Sequence, residues 1–334
     1  MRSPLQETEC TRFMCCFFAL VVDRAVGDPE GAWQKVPHPV VLFGRAVSFF
    51  EKQFNRKGLN ERDRRTYGMM AILALLIGSV MTGVLVSRIL GYLGFIGIIL
   101  EIAVVAILLA QKSLADHVFA VGQGLRKEGI VGGRKAVSMI VGRDPNTLDR
   151  AGVCRAAIES LAENYSDGVV APALYYALFG LPGLFAYKML NTADSMIGHR
   201  TPRYRQFGWA AARLDDFANW PAARLSALFI AIGSWFRRGR PSARNSISVA
   251  LRDHGLHRSP NSGWPESAMA GSLDIALAGP RAYAGEQVME PMQNSAGRKN
   301  IGPTDIDMAI EVFWAACTVL TVAAGAISLT IAIL

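Results

Sequence analysis

The chain has 334 residues, 51% of them hydrophobic and only 19% charged, with a formal net charge of +8. A soluble domain carries about 25% charge, so the composition sets this chain apart from an ordinary soluble enzyme and points to membrane-spanning segments. Its basic residues flank apolar runs and line no single polar face, which favours lipid headgroups and phosphorylated ligands over nucleic acid.

Residues 13–22 (FMCCFFALVV) are apolar between Arg12 and Asp23. Ten residues are short for a span, and no small-residue cleavage site follows, so an interfacial or partly inserted first helix is expected. The cysteines at 10, 15, 16, 154 and 317 have neither zinc-site nor disulfide-framework spacing and read as buried thiols. Asp28 and His38 then sit among turn formers at 23–45. Residues 66–87 contain no charge and form a spanning helix. Residues 89–111 form a second, broken only by Glu101, which reads as pairing with a neighbouring helix.

Residues 112–158 are basic, helical in period and soluble in character. Their glycine-rich VGQGLRKEGIVGGRK lacks GxxxxGK[ST] and makes no nucleotide loop. RDPNTLDR at 143–150 reads as a turn and a helix start, with Asn146 or Thr147 as the N-cap. Residues 168–187 are uncharged but hold Pro172 and a GLPG turn at 180–183, which leaves a straight span and a re-entrant hairpin both open. A short apolar run at 225–236 precedes RRGR at 237–240. Residues 241–305 are polar, rich in Gly, Pro and Ser, and read as extramembrane. Residues 312–334 are an uncharged final span.

The expected fold is all-α: a polytopic membrane protein with about four to six spanning or re-entrant helices and cytoplasmic polar loops. It divides into an N-terminal segment (1–66), a transmembrane hairpin (67–111), cytoplasmic helices with the broken or spanning segment and the polar motifs (112–240), a cytoplasmic loop region (241–305) and a C-terminal transmembrane helix (306–334). Lys52, Arg56, Lys57, Arg62, Arg64 and Arg65 before the first strong span place that side in the cytoplasm.

Three constellations carry candidate chemistry. In ESLAENYSDG, Glu159, Glu163 and Asp167 are spaced i, i+4, i+8 and share about 80° of helical arc; Asn164 and Ser166 lie nearby. Adjacent acids are tolerated when solvated or when a cation sits between them, and Mg²⁺ binds through one or two carboxylates plus substrate phosphates. In KMLNTADSM, Lys188, Asn191 and Ser195 share a helical face, with Asp194 three residues after Asn191. Arg200, Arg203, Arg205 and Arg213 then cluster beside Asp215–Asp216, with Asn219 four residues after Asp215; arginines suit bidentate capture of carboxylate or phosphate. Further along, Asn261, Trp264 and Glu266 fall in a loop. Bland readings stand beside each: a solvated acidic face, a snorkelling lysine with a capping pair, surface salt bridges, ordinary turns. No HExxH or GxSxG appears.

Taken together, GDP at 27–29, PHPVVLFGR at 37–45, ESLAENYSDGVVAP at 159–172, KMLNTADSMIGHRTPRYRQFGWAAARLDDFANWPAARL at 188–225 and SPNSGWPESAMAG at 259–271 resemble the CobD/CbiB family of cobalamin biosynthesis, the adenosylcobinamide-phosphate synthases. The resemblance covers roughly residues 23 to 320. The leader MRSPLQETECTRFMCC is unlike the family's usual start, which suggests a start codon further downstream, and the stretch after Pro280 is less family-like. The resemblance implies a multi-pass inner-membrane protein with its active face in the cytoplasm. It implies amide formation between adenosylcobyric acid and aminopropanol or its phosphate, with ATP and Mg²⁺ as activators and other cobalamin-pathway enzymes as associates. Under it, Glu163, Asp167, Asp194, Asp215 and Asp216 are expected to hold metal or take the amine's proton. Lys188, Arg203, Arg205 and Arg213 are expected to hold phosphate or the corrin carboxylate. Asn164, Asn191, Asn219, Asn261 and Trp264 are expected to orient the corrin amides, and Ser166, Tyr204 and Glu266 to bind substrate. The alternatives are a Mg²⁺-dependent intramembrane prenyltransferase, which the missing NxxxDxxxD disfavours, a non-catalytic sensor or scaffold, and a transporter.

Overall fold

The structure is a computed structural model, and it describes residues 4–27, 37–142, 144–279, 281–283, 286–288 and 290–334. Asp28 lies outside those residues. In chain order the helices are α1 (Pro4–Val26), α2 (Pro39–Phe54), α3 (Glu61–Tyr92), α4 (Phe95–Leu108), α5 (Gln111–Lys127), α6 (Gly129–Val137), α7 (Arg150–Tyr165), α8 (Ala171–Ile197), α9 (Trp209–Arg238), α10 (Arg240–Asp253), α11 (Gly263–Leu273) and α12 (Pro303–Ile333). A π turn, Ser166–Val170, joins α7 to α8. Short antiparallel pairs join β1 (Leu277–Ala278) to β4 (Met292–Gln293) and β2 (Arg281–Tyr283) to β3 (Glu286–Val288). Among the described residues four helical stretches are long and apolar enough to cross a membrane: Glu61–Tyr92, Phe95–Lys127, Arg150–Ile197 and Pro303–Ile333. This all-α membrane architecture agrees with the sequence. The first helix, α1, is not among the four.

Two compact units are assembled from interleaved pieces of chain. The first takes Met1–Ala110, Ala171–Asn219 and Ala324–Leu334. In it, α3 opens on Asn60, whose side chain accepts from the Asp63 N–H, with Glu61 and Asp63 complementing the helix dipole. Leu73, Ile77, Met81 and Leu85 recur every fourth residue along α3, and each is more than half exposed. That stripe suits acyl chains. The opposite face carries small residues that let α8 and the segment that follows it approach. A Cβ on Gly83 would stand 2.5 Å from Pro182 Cα, and one on Gly68 would stand 2.0 Å from Phe207 O. Close approach through small residues is the usual way membrane helices associate. Within α8 the backbone breaks at Gly180 (φ 65°, ψ −155°), two residues before Pro182. The question the uncharged 168–187 stretch left open is thereby answered: it is two helical pieces, because only glycine adopts that conformation and Pro182 has no N–H.

The second unit takes Gln111–Val170 and Trp220–Ala323. Its glycine-rich stretch is a helix–helix contact: a Cβ on Gly132 would stand 2.8 Å from Gly124 O. The N-cap of α7 is Asp149, whose side chain accepts from the Gly152 N–H. The sequence pointed to Asn146 or Thr147 instead. Those two residues belong to a separate 3₁₀ turn that Asp144 caps. Part of the polar stretch 241–305 is helical where loop was expected. Its small polar side chains tie α10 to α11, with Asn245 Nδ2 donating to Gly271 O (2.7 Å), Ser246 Oγ to Ala268 O (2.8 Å) and Ser242 Oγ to Ser272 O (2.6 Å). A serine that bonds a neighbouring helix carries the same composition as one in a loop. None of the cysteines forms a disulfide among the described residues.

Candidate functional site

In the first unit the C-terminal part of α8 meets the start of α9. Gly208 makes this possible, since a Cβ there would stand 1.7 Å from Ile197 O. The contact buries a polar chain. Tyr187 Oη donates to Asn219 Oδ1 (2.8 Å), and Asn219 Nδ2 donates to Asp215 Oδ2 (2.8 Å). Tyr187 is held in turn by a parallel stack on Tyr175, with ring centroids 5.1 Å apart. Asp215 is buried, and its Oδ1 has no hydrogen-bond partner among the described residues. Burial first, then the neighbouring charges of Asp194 and Asp216, push the Asp215 carboxyl up to about 7 against the Asn219 and Asn191 amides. Lys188 lies buried on α8.

A cavity of about 590 Å³ borders this cluster, lined by Arg200, Arg205, Gln206, Trp209, Arg213 and Asp216 among others. Gly198 also lines it and lies against Asp194, where a Cβ would stand 1.9 Å from Asp194 Oδ1. Partial burial raises the Asp216 carboxyl, and Arg213 and Arg200 oppose the rise. Arginines on a cavity wall suit phosphate or carboxylate. Arg203 has a different position: Glu51 on α2 takes its Nη2 at 2.6 Å and its Nε at 2.8 Å. Asn55 ties the same corner by donating to Glu51 Oε1 and to Arg203 O, both at 3.2 Å. Arg203 thus fixes the 198–208 segment, with Tyr204 half-buried beside it.

A buried carboxylate with one unsatisfied oxygen and a second carboxylate beside it is unfavourable unless a proton or a cation intervenes. The donor set fits Mg²⁺, which takes one or two carboxylates and completes its shell with water and substrate phosphates. Among the described residues no group of three or more His, Cys, Asp or Glu forms an all-protein cage.

The remaining predicted residues belong to the second unit. The acidic row of α7 does not act as one cluster. Glu159 is buried and accepts the Ala278 N–H at 2.7 Å, which is a structural task. Glu163 accepts from Ser262 Oγ at 2.9 Å. Asp167 lies beyond the end of α7, on the π turn, which resets the helical phase. Asn164 is exposed and donates to Ser160 O at 2.9 Å, while the Ser166 hydroxyl is buried without a hydrogen-bond partner among the described residues. At the start of α11, Asn261 and Glu266 are buried, with His257 Nε2 3.7 Å from Glu266 Oε1. The Trp264 ring stacks on His254 with centroids 4.0 Å apart, and the Arg224 guanidinium lies 4.9 Å from it. Its indole N–H has no acceptor among the described residues.

Sequence reasoning missed Tyr187, which orients Asn219, and Glu51, which holds Arg203. It also missed Trp209, whose ring carries the Arg65 guanidinium at 3.6 Å. The only signal for Tyr187 is its place beside Lys188.

A family model described as CobD/Cbib protein matches residues 16–313. The chain is 60% identical over 311 residues to a protein of Rhizobium meliloti (strain 1021), covering 93% of this chain and 95% of the relative. It is 62% identical over 302 residues to one of Sinorhizobium sp, covering 90% and 94%. It is 42% identical over 310 residues to one of Rhodobacter capsulatus, covering 93% and 95%. Each of these relatives is named Cobalamin biosynthesis protein CobD. No solved structure matches.

Proposed function

The chain belongs to the CobD/CbiB family of cobalamin biosynthesis, and from that premise we propose that it is an adenosylcobinamide-phosphate synthase. In this reading it joins adenosylcobyric acid to aminopropanol or its O-phosphate through an amide, at the expense of ATP. The observation that carries the reading is the buried, half-satisfied Asp215 beside Asp194, bordered by an arginine-lined cavity. The likenesses lend no support to a prenyltransferase, a sensor or a transporter.

A carboxylate is a poor electrophile. Its oxygen attacks the γ-phosphorus of ATP, ADP leaves, and an acyl phosphate results. Arg205 and Arg213 supply positive charge to the phosphoryl oxygens as negative charge shifts between them. Asp194 and Asp215 would hold Mg²⁺, which supplies Lewis-acid neutralisation of phosphate charge when bound. The amine nitrogen then attacks the acyl carbon, the C–N bond forms and inorganic phosphate departs with the C–O electron pair. The ammonium gives up two protons: one passes to Asp216 before the attack and frees the nitrogen lone pair, since Asp216 faces the same cavity and its raised carboxyl suits a base. The second leaves with the phosphate. In the second unit, Asn164, Ser166, Asn261, Trp264 and Glu266 are proposed to bind corrin amides, a role supported by the unsatisfied Trp264 N–H and Ser166 hydroxyl, while Glu163 and Asp167 keep the proposed metal or proton role. The active face is proposed to be the cytoplasmic face of the inner membrane.

Purified protein in detergent is given adenosylcobyric acid, aminopropanol phosphate, ATP and Mg²⁺, and the corrin is followed by mass. A gain of one amide linkage with ATP consumed is expected. Folded protein that binds the corrin but leaves its mass unchanged would refute the ligase reading.

A further inference from the structure

A second polar cavity in the first unit, of about 610 Å³, lies far along the bundle from the arginine-lined one. Its position follows from the antiparallel packing of α3 on α8. Gly68 on α3 meets Phe207, close to the first cavity, whereas Gly83 meets Pro182. The fifteen residues between these two glycines span about 22 Å, most of the roughly 30 Å thickness of a hydrocarbon core. The second cavity lies at Val84, Ser87 and Arg88, at or beyond the Gly83 level. It therefore faces the opposite membrane surface.

Its lining is charged as well as apolar. Arg12, Arg88 and Glu101 all line it, beside the break in α8 at Gly180. A broken helix leaves carbonyls without intrahelical donors, and Arg12 Nη1 donates to one of them, Leu178 O, at 3.0 Å. Tyr176 is fully buried, and its Oη donates to Glu101 Oε1 at 2.7 Å, fixing that carboxylate on the cavity wall. Arg88 makes no hydrogen bond or ion pair among the described residues. Ionisable groups in or beside a bilayer persist mainly where they serve a ligand or each other, and of these three only Arg12 and Glu101 have structural partners among the described residues. The set presents two guanidinium groups and one carboxylate, with Val84, Phe179 and Pro182 as apolar neighbours.

We propose that this cavity holds the headgroup of an aminoalkyl phospholipid from the leaflet opposite the arginine-lined site, with its phosphate on Arg12 and Arg88 and its ammonium on Glu101. Two cations and one anion complement one phosphate and one ammonium. The apolar walls take the first carbons of the chains, and the position matches headgroup depth. A soluble aminoalkyl phosphate has the same polar chemistry, so the source is decided by experiment.

The full chain is reconstituted in nanodiscs of equal phosphatidylethanolamine and phosphatidylcholine, released gently, and its retained lipid counted by native mass spectrometry. Wild type is expected to retain phosphatidylethanolamine in preference. Arg88→Ala should lower that retention about tenfold by losing a charge-assisted phosphate contact. Glu101→Gln should retain lipid but lose the preference for a primary ammonium over choline. Thermal unfolding of both variants confirms that they are folded. No preference in wild type, or wild-type retention in folded Arg88→Ala and Glu101→Gln, overturns the proposal. Soluble phosphoethanolamine that strips the lipid and binds on its own overturns the lipid source and assigns the cavity to a soluble ligand.

Discussion

Asp215 offers a test that needs no substrate. Its carboxyl is pushed from 3.8 up to about 7, first by burial and then by Asp194. A carboxyl raised on folding contributes stability that is complete below about pH 4 and lost as the pH climbs through 7, because the native state binds the proton more tightly than the unfolded chain does. The displacement corresponds to about 4 kcal/mol at most, since local relaxation reduces it. Unfolding entropy of about 2.1 cal/mol/K per residue over 334 residues makes this about 5 °C in Tm. Asn cannot ionise, and its carbonyl can still accept from Asn219 Nδ2. Asp215→Asn should therefore melt about 2 °C above wild type near pH 5, where the unfolded carboxyl is already ionised, and up to about 5 °C higher at pH 8.5. The assay is intrinsic fluorescence during heating in detergent with EDTA, at both pH values. A Tm difference that stays the same from pH 5 to 8.5, or a variant less stable throughout, would refute the assignment of a strained, buried carboxylate. Adding Mg²⁺ at pH 8.5 should raise wild-type Tm and leave Asp215→Asn unmoved.

Asp194→Asn and Glu163→Gln should each lower product formation by about 100-fold or more while membrane insertion stays intact, measured by corrin mass and membrane fractionation; normal turnover in both removes the carboxylate model. Arg205→Ala and Arg213→Ala should raise KM for the phosphate-bearing substrates about tenfold, with a steeper rise at low salt, in steady-state kinetics. Tyr187→Phe removes one buried hydrogen bond to Asn219 and should cost about 1 kcal/mol of stability, with kcat falling more than KM rises. Gly83→Ala forces a Cβ to 2.5 Å from Pro182 Cα and should destabilise the helix pair by about 1–3 kcal/mol, read as a lower Tm with the corrin site chemistry unaltered.

Much of the fold is legible because lipid imposes a simple demand: a long run without charge, ended by polar residues. Residues 66–87 fall within one helix long and apolar enough to span, and all but the last residue of 312–334 within another. The broken span was harder because proline has two meanings. Pro172 sits in the first turn of α8, where its missing N–H costs nothing, whereas Pro182 follows Gly180 and belongs to the break. The cap of α7 failed for a similar reason. Asp144, Asn146, Thr147 and Asp149 are all good cap residues, and only the fold decides that Asp144 serves the 3₁₀ turn and Asp149 the helix.

At the candidate site the residue types were legible and their tasks were not. The i, i+4 spacing of Asp215 and Asn219 is local, and their hydrogen bond is present. Tyr187 completes that chain from 32 positions away, Glu51 reaches Arg203 from 152, and Glu159 accepts the Ala278 N–H from 119. No periodicity encodes such separations. The consequence is physical: a carboxylate's role depends on whether a distant donor satisfies it. Glu159 and Glu163 look alike on one helical face, yet Glu159 is buried against a backbone N–H while Glu163 is only partly buried beside a hydroxyl. Asp215 differs from both, with one oxygen satisfied by Asn219 and the other making no well-formed hydrogen bond among the described residues, although the Asn191 amide lies near enough to oppose the rise of the carboxyl. In the proposed mechanism that remaining oxygen, beside the Asp194 charge, would make the 194–215 pair the place where a cation gains most by binding, and this end of α8 the chemical end of the first unit.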